Sequence, residues 1–230
     1  MKHHYRRWED DGAVRMFANK GADDFFASER RFLADIHPDI DTVLDVGCAS
    51  GRFIELLRSY RAQFGFTGID LGANNVANAK RLYPDARFIE GNALDLDLDE
   101  TFDLVNATGV MQHEPAFEAL IERMIAWSRR YVLFDVKLGG VSEHLADLER
   151  AYSGSADHPL YFVVLAWPLF RAFLKSQPGI KSIAVYGYEA PPRFANLPDG
   201  IGPIIAAGVL IEKGDAGGNG PAFTIDLPSI

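Results

Sequence analysis

Cysteine is almost absent from this chain. Cys48 is the single one in 230 residues, which excludes an internal disulfide framework and any multi-cysteine zinc site. Long apolar runs are missing too: no stretch approaches the roughly 18 to 20 residues of a membrane-spanning helix. The N-terminus is charged and has no signal-peptide core, so a cytoplasmic protein without a membrane partner is expected. Positive charge is scarce. Lys and Arg number 23 against 32 Asp and Glu, a formal net charge of −9. Binding to a phosphate backbone rests on clustered Lys and Arg, and the Arg6-Arg7 and Arg129-Arg130 pairs are too short to provide it, so no nucleic-acid partner is expected. No internal repeat is visible, and the length suits one domain with a sizeable core.

Two glycine patterns are also lacking. A dinucleotide turn needs G-x-G-x-x-G, but Gly47 is followed at those places by Ala49 and Arg52. A phosphate loop needs Gly-Lys-Ser/Thr, whereas Gly51 is followed by Arg52-Phe53. What stands there is Val43 to Phe53, Val-Leu-Asp-Val-Gly-Cys-Ala-Ser-Gly-Arg-Phe. A buried-strand run ends in an acid, turns on two glycines four apart, and continues as a helix. Glycines let backbone approach a ligand, and the next helix N-terminus presents N–H groups, so this is a small-molecule site at the end of a first strand.

Strand-like and helix-like segments alternate from residue 42 to 136, the pattern of a parallel sheet covered by helices. Strands are expected at Asp41–Val46, Gly65–Asp70, Arg87–Glu90, Phe102–Ala107 and Tyr131–Val136. Helices are expected at Arg52–Tyr60, after Asp70 through about Leu82, and at Phe117–Arg129. Beyond Lys137 the alternation stops. Ser142–Tyr152 and Leu160–Lys175 read as helices, and Ser182–Tyr188 and Ile204–Ile211 as closing strands. The long proline-rich connection Glu189–Pro203 is expected to cover something. Residues 1–40 read as a helical arm or lid holding Tyr5, Trp8, Phe17, Phe25 and Phe26, and residues 214–230 as a mobile tail apart from a weak Phe223–Leu227 segment.

The segment Asp45-Val46-Gly47-Cys48-Ala49-Ser50-Gly51 resembles the first motif of the class I S-adenosylmethionine-dependent methyltransferases, an acid, any residue, then Gly-x-Gly-x-Gly, with Ala49 in place of the middle glycine. The resemblance implies an α/β fold: a Rossmann-like, mostly parallel seven-stranded sheet with an antiparallel last strand and helices on both faces. The domain would span 41–213, with a helical insertion at about 141–177 before strand six. It also implies S-adenosyl-L-methionine as cofactor, held by Asp45, Gly47, Cys48, Ala49, Gly51, Arg52 and Phe53 of the motif. Asp70, which closes strand two about 23 positions after Gly47, would bind the ribose hydroxyls beside Leu71, although such an acid can also simply cap the next helix. Asn92, Ala93 and Leu94 fall where the adenine is read, and the Asn92 carbonyl can accept from its amine. Thr108 and Val110, after strand four, would lie along the methionine moiety. Arg30 and Arg31 are candidate partners of its carboxylate. The Asn/Asp-Pro-Pro-Tyr/Phe motif of amino-methylating DNA enzymes is missing from Asn106–Glu114.

Methyl transfer needs alignment of a lone pair, exclusion of water and, for a hydroxyl nucleophile, a base. His113 is the candidate base, with helix capping or packing as its structural alternative. Cys48 reads as a buried filler rather than a nucleophile. Asp135 and Lys137 are expected to face opposite ways, and with Asp103 they form no convincing magnesium set, so no metal is expected. Acceptor selection falls to the region after Lys137, where Tyr161, Phe162, Trp167, Phe170 and Phe173 are pocket wall or core, and Arg171, Arg193 and His158 are handles for an anion. The expected function is methylation of a small molecule, on oxygen of a sugar, polyketide or other secondary metabolite, by a monomer or homodimer. The competing readings are a catalytically silent cofactor-binding scaffold on the same fold and an NAD-dependent oxidoreductase, which the glycine spacing disfavours.

Overall fold

The computed structural model describes residues 25–155, 157–189, 195–215 and 220–229. Helix α1 (Ala27–Ile36) leads into β1 (Thr42–Val46), α2 (Phe53–Tyr60), β2 (Gly65–Asp70), α3 (Ala73–Leu82) and β3 (Arg87–Glu90). Then come β4 (Phe102–Ala107), α4 (Phe117–Trp127) and β5 (Ser128–Gly139). The remainder is β6 (Tyr152–Ser155), β7 (His158–Tyr161), β8 (Leu165–Ala166), α5 (Trp167–Ser176), β9 (Ile180–Glu189), β10 (Ala195–Asn196), β11 (Ile205–Lys213) and β12 (Ala222–Asp226).

The main sheet runs β12-β9-β11-β5-β4-β1-β2-β3. Pairings from β3 to β5 are parallel, and β11 lies antiparallel between β5 and β9. A parallel sheet is covered on both faces, so its strands read as continuous apolar runs rather than alternating ones. All six residues of β4 are buried, as that rule requires. One face packs on α4 and α5 through Ile121, Met124, Phe134 and Phe170, the other on α1, α2 and α3 through Leu33, Leu57, Val76 and Leu104. Parallel order reverses between β1 and β4, and ligands bind at such a switch point, outside the carboxyl ends of the strands.

The structure corrects the sequence reading after Lys137. The expected helix at Ser142–Tyr152 is irregular chain held by a bridge between Leu145 and Val164 and ends in β6. β6 pairs with β7 and β10 in a separate three-stranded sheet. The Gly-containing run Ser153-Gly154-Ser155 pairs residue by residue with His158-Pro159-Leu160, which a helix cannot offer. The second helix begins only at Trp167, where Pro168 suits a first turn, and the preceding Leu165–Ala166 pairs with β5 instead. The insertion therefore holds three short strands and one helix in place of two helices. The segment singled out in the tail, Phe223–Leu227, overlaps β12 (Ala222–Asp226), which lies parallel to β9 at the sheet edge.

Candidate functional site

The turn after β1 brings the site together. Gly47, Ala49 and Gly51 all have positive φ, +71°, +46° and +77°. The Gly47 and Cys48 N–H groups both donate to the Ile69 carbonyl, at 2.8 and 3.0 Å, which draws the turn onto the end of β2. A Cβ on Gly47 would lie 2.5 Å from Val110 Cγ2, so the turn and the ledge after β4 approach as closely as backbone allows. The carboxylate of Asp70 ties the other side. Its Oδ2 accepts the Ala49 N–H and its Oδ1 the Gly72 N–H, both at 2.8 Å. Oδ1 also accepts from the Asn75 Nδ2 at 3.4 Å, so the Asp70 carboxylate ties the turn to the start of α3.

A cavity of about 370 Å³ opens at this junction. Fourteen of the sixteen residues expected from the sequence line it: Asp45, Gly47, Cys48, Ala49, Arg52, Phe53, Asp70, Leu71, Asn92, Ala93, Leu94, Thr108, Val110 and His113. Two do not. Gly51 faces away, where a Cβ would lie 2.9 Å from Phe88 Cζ, so its role is to let the turn pack on β3. Arg30 is exposed and outside the cavity, because the inward stripe of α1 is Ser28, Glu29, Phe32, Leu33 and Ile36. Arg31, its companion, stacks on the Tyr186 ring at 4.1 Å and pairs with Asp226 at 2.8 Å. Tyr5, Trp8, Phe17 and Arg193 lie outside the described residues.

Individual side chains are fixed by their partners. Cys48 is buried against Gly68, where a Cβ would lie 2.6 Å from its sulfur, and burial raises its thiol pKa well above the ordinary value, which suits packing and not nucleophilic attack. Arg52 Nη1 donates to the Tyr83 hydroxyl at 2.9 Å. Asn92 Oδ1 accepts the Leu94 N–H at 3.0 Å and keeps its second lone pair. His113 closes a short 3₁₀ turn, Met111–His113, and its Nδ1 lies 2.8 Å from the Tyr161 carbonyl. That carbonyl can only accept, so Nδ1 carries the proton, and Nε2 takes the Gln112 amide N–H at 3.1 Å. Burial, outweighing the Tyr161 bond and the charge of Asp135, lowers the His113 pKa below 6.5 and favours neutral imidazole.

Asp135 and Lys137 do not face opposite ways: two residues apart on a strand they share one face, both are buried, and Lys137 Nζ sits 3.3 Å from Asp135 Oδ2. Asp135 also accepts the Gly109 N–H, and Lys137 lies 5.5 Å from the Phe26 ring centroid. Asp103 belongs to the opposite end, bound to the Asp41 and Thr42 N–H groups and to Arg129. The aromatic residues after Lys137 are not cavity wall: Phe170 is fully buried among Phe117, Phe134, Trp167 and Phe173. Arg171 stacks on Phe223, and His158 is exposed.

Phe25 and Phe26 of the expected arm line the cavity, whereas sequence reasoning missed Glu29 as a cavity residue and Asn106 as the link between strands. Asn106 Nδ2 donates to Asp45 Oδ1 at 2.8 Å and Thr108 Oγ1 at 3.1 Å. The Thr108 hydroxyl donates to Glu29 Oε1, and the Phe26 N–H to Glu29 Oε2 at 2.6 Å. Only the apolar stripe of α1, which carries Glu29 inward beside Phe25 and Phe32, held a signal of this.

Residues 43–130 match the family described as a methyltransferase domain. The chain is 30% identical over 115 residues to a trans-aconitate 2-methyltransferase of Rhizobium etli, covering 48% of this chain and 44% of that protein. A trans-aconitate 2-methyltransferase of Escherichia coli O157:H7 (strain EC4115 / EHEC) is 27% identical over 88 residues, 38% of this chain and 35% of that one. The chain thus spans less than half the length of these relatives. Among solved structures, the N-terminal domain of EvdMO1 with SAH bound superposes with a TM-score of 0.63 at 14% identity, covering 89% of this chain and 85% of that chain. With the sheet order, the antiparallel β11 and the glycine turn at the switch point, these likenesses show that residues 43–130 match a methyltransferase domain and that the chain has the Rossmann-like fold of S-adenosylmethionine-dependent methyltransferases.

Proposed function

We propose that the protein transfers a methyl group from S-adenosyl-L-methionine to an oxygen of a small metabolite. The observation that carries the reading is Asp70, a carboxylate on the cavity wall at the end of β2, set by the Gly47–Gly51 turn. Two hydroxyls of a ribose fit such an acceptor, and Leu71, Ala93 and Leu94 beside it offer an apolar seat for a flat base. The Gly47 cradle, which any side chain would fill, leaves a backbone-lined passage from there toward Asn106 and Thr108. Asp70 would hold a nucleoside there, with Asn106 and Thr108 as lining for the remainder of the cofactor.

When bound, the cofactor supplies a methyl group on a sulfonium, an electrophile that needs no metal or further activation. The chain's own residues orient, exclude water and handle the proton. Phe25 and Phe26 cover the cavity end beside Gly109, whose missing side chain leaves a Cβ position 4.0 Å from Phe26 Cε2. His113 presents a neutral ring whose Nε2 lone pair is the base for an acceptor hydroxyl. The Gln112 amide holding that lone pair has to yield to the acceptor hydroxyl. The curated relatives are named for methylation of trans-aconitate, which supports a small acid as one acceptor class beside sugars and polyketides. Calorimetric binding of S-adenosylmethionine and S-adenosylhomocysteine, with NAD and ATP as controls, tests the cofactor. A methyl-donor assay over hydroxylated and carboxylated metabolites tests the transfer. Equal binding of NAD would overturn the cofactor reading.

A further inference from the structure

Gln112 and His113 are successive, half-buried residues of the 3₁₀ turn, and both line the cavity. Side chains one apart on such a turn point about 120° away from each other, so a side-chain bond between them has to be imposed. The insertion imposes it. The Val163 N–H holds the Gln112 backbone carbonyl at 2.8 Å, and the Tyr161 carbonyl holds His113 Nδ1 at 2.8 Å, which leaves Nε2 to the Gln112 amide 3.1 Å away. A neutral imidazole has one lone pair, and this amide covers it. A hydroxyl reaches Nε2 only by displacing the amide, and a half-buried N–H left without an acceptor is costly. A substrate removes that cost when it carries a second oxygen on the carbon next to its hydroxyl, because two such oxygens lie close enough together to meet both nitrogens at once.

From this geometry we infer that Gln112 reads the methyl acceptor, and that the preferred acceptor is a hydroxyl compound with a second oxygen on the neighbouring carbon, a 2-hydroxy acid or a vicinal diol. The inference rests on the proposed oxygen methylation and deepens it by naming the substrate class. The acceptor hydroxyl gives its proton to His113 Nε2 and forms the O–C bond while the C–S bond of the donor breaks, its electron pair staying on sulfur. The neighbouring oxygen takes the displaced Gln112 N–H. One amide thus guards the base while the site is empty and selects the compounds that uncover it.

Two pairs of isomers test this at equal mass and charge: 2-hydroxybutyrate against 4-hydroxybutyrate, and cyclohexane-1,2-diol against cyclohexane-1,4-diol, with the methyl ether product counted by mass spectrometry. On the native protein, kcat/KM for ether formation should favour the adjacent-oxygen isomer of each pair by about 10-fold or more, the scale of a donor left unpaired. Q112E keeps the shape but replaces the amide donor with carboxylate oxygens, and should shrink both preferences to about 3-fold or less. In Q112A and Q112E the titration of His113, followed by NMR, should move upward, because the bond that favours the neutral ring is gone. Asp135 and Lys137 on β5, whose charges also bear on the ring, are the same in all three proteins. Native rates that are equal within each pair overturn the inference, and this comparison needs no variant to fold. So does a Q112E protein that slows both isomers alike with the His113 titration unmoved, which would make Gln112 a packing residue. Absence of ether from all four compounds, in a protein that binds S-adenosylmethionine, would count instead against oxygen methylation itself, while the NMR titration would still decide whether Gln112 covers the lone pair.

Discussion

The part of the chain up to β4 and the part beyond β5 make their contributions to the cavity in different ways. In the first, positions are set by backbone over short separations: three positive-φ residues, Gly47, Ala49 and Gly51, and the Ala49 N–H on Asp70, 21 residues away. In the second, they are set by tertiary pairs. Val163 N–H bonds the Gln112 carbonyl at 2.8 Å, and Tyr161 bonds His113 across 48 residues, so the insertion buttresses the 3₁₀ turn that carries the candidate base. One side can be read as a local rule. The other depends on where distant strands happen to meet. Nucleoside recognition and proton handling should accordingly be separable by mutation.

The largest expected effect breaks the second side alone. His113→Ala should lower turnover by roughly 100-fold or more while cofactor affinity stays nearly unchanged, since general-base catalysis contributes about 10² to 10⁴. Only the neutral ring accepts a proton, and burial holds its pKa below 6.5, so the native rate should rise with pH through a limb below that value and be flat at neutrality. The same shift has a stability sign. The unfolded chain binds this proton more readily than the folded one, so stability falls as pH drops through the unfolded value near 6.5, and the variant should lack that part of the dependence. A variant with native turnover and an unchanged pH limb would make His113 a packing residue.

Asp70→Ala breaks the first side. Loss of charge-assisted bonds to a ribose should cost about 1.5 to 3 kcal/mol of cofactor affinity by calorimetry. Because the Ala49 and Gly72 N–H groups also lose their acceptor, the melting temperature should fall with it. Turnover at saturating cofactor should fall far less than in His113→Ala. Native affinity in the variant would take Asp70 out of the ribose site.

How legible each side was in the sequence follows from the same contrast. The βα steps from Thr42 to Gly139, and Asp70 as a strand-closing acid on the cavity wall, show in period, spacing and glycine placement, which are local signals. Gly51 was misjudged because a positive-φ glycine looks the same whether a ligand or Phe88 fills the space beside it. Arg30 was misjudged because charge suggested a carboxylate partner, whereas the helical stripe turned its neighbour Glu29 inward. The expected helix at Ser142–Tyr152 was lost to long-range pairing. Leu145 bridges Val164, and Ser153-Gly154-Ser155 finds strand partners in β7, neither of which leaves a periodic trace.

The arm joins the two sides, and a small residue permits it. Gly208 on β11 faces Ser28 so closely that a Cβ on Gly208 would overlap the Ser28 side chain. Gly208→Ala should push α1 off the sheet at a cost of about 1 to 3 kcal/mol, the range for overpacking, measured by denaturant unfolding. Phe25, Phe26 and Glu29 move with α1, so cofactor affinity should drop while the pH limb assigned to His113 persists. An unchanged affinity in a destabilised variant would separate the arm from the cavity.

The smallest effect sharpens the first side. Ala49 stands where the motif has its middle glycine, and it adopts φ +46°, the left-handed region that costs a non-glycine residue about 1 to 2 kcal/mol. Ala49→Gly removes that strain but also frees the unfolded chain, which costs about 0.4 to 1 kcal/mol. The two partly offset, leaving a net stabilisation of about 0 to 1.6 kcal/mol. The N–H that Asp70 accepts is a backbone group and survives the change, so cofactor affinity should match the native protein. Ala49→Val gives the opposite outcome, because a β-branched residue adds to the strain in the left-handed region. Its branch would also enter the cavity that Ala49 lines, so stability and affinity should fall together. If Ala49→Gly instead weakened the cofactor, the alanine methyl would be a contact in its own right, and the turn on this side would recognise its ligand by side chain as well as by backbone.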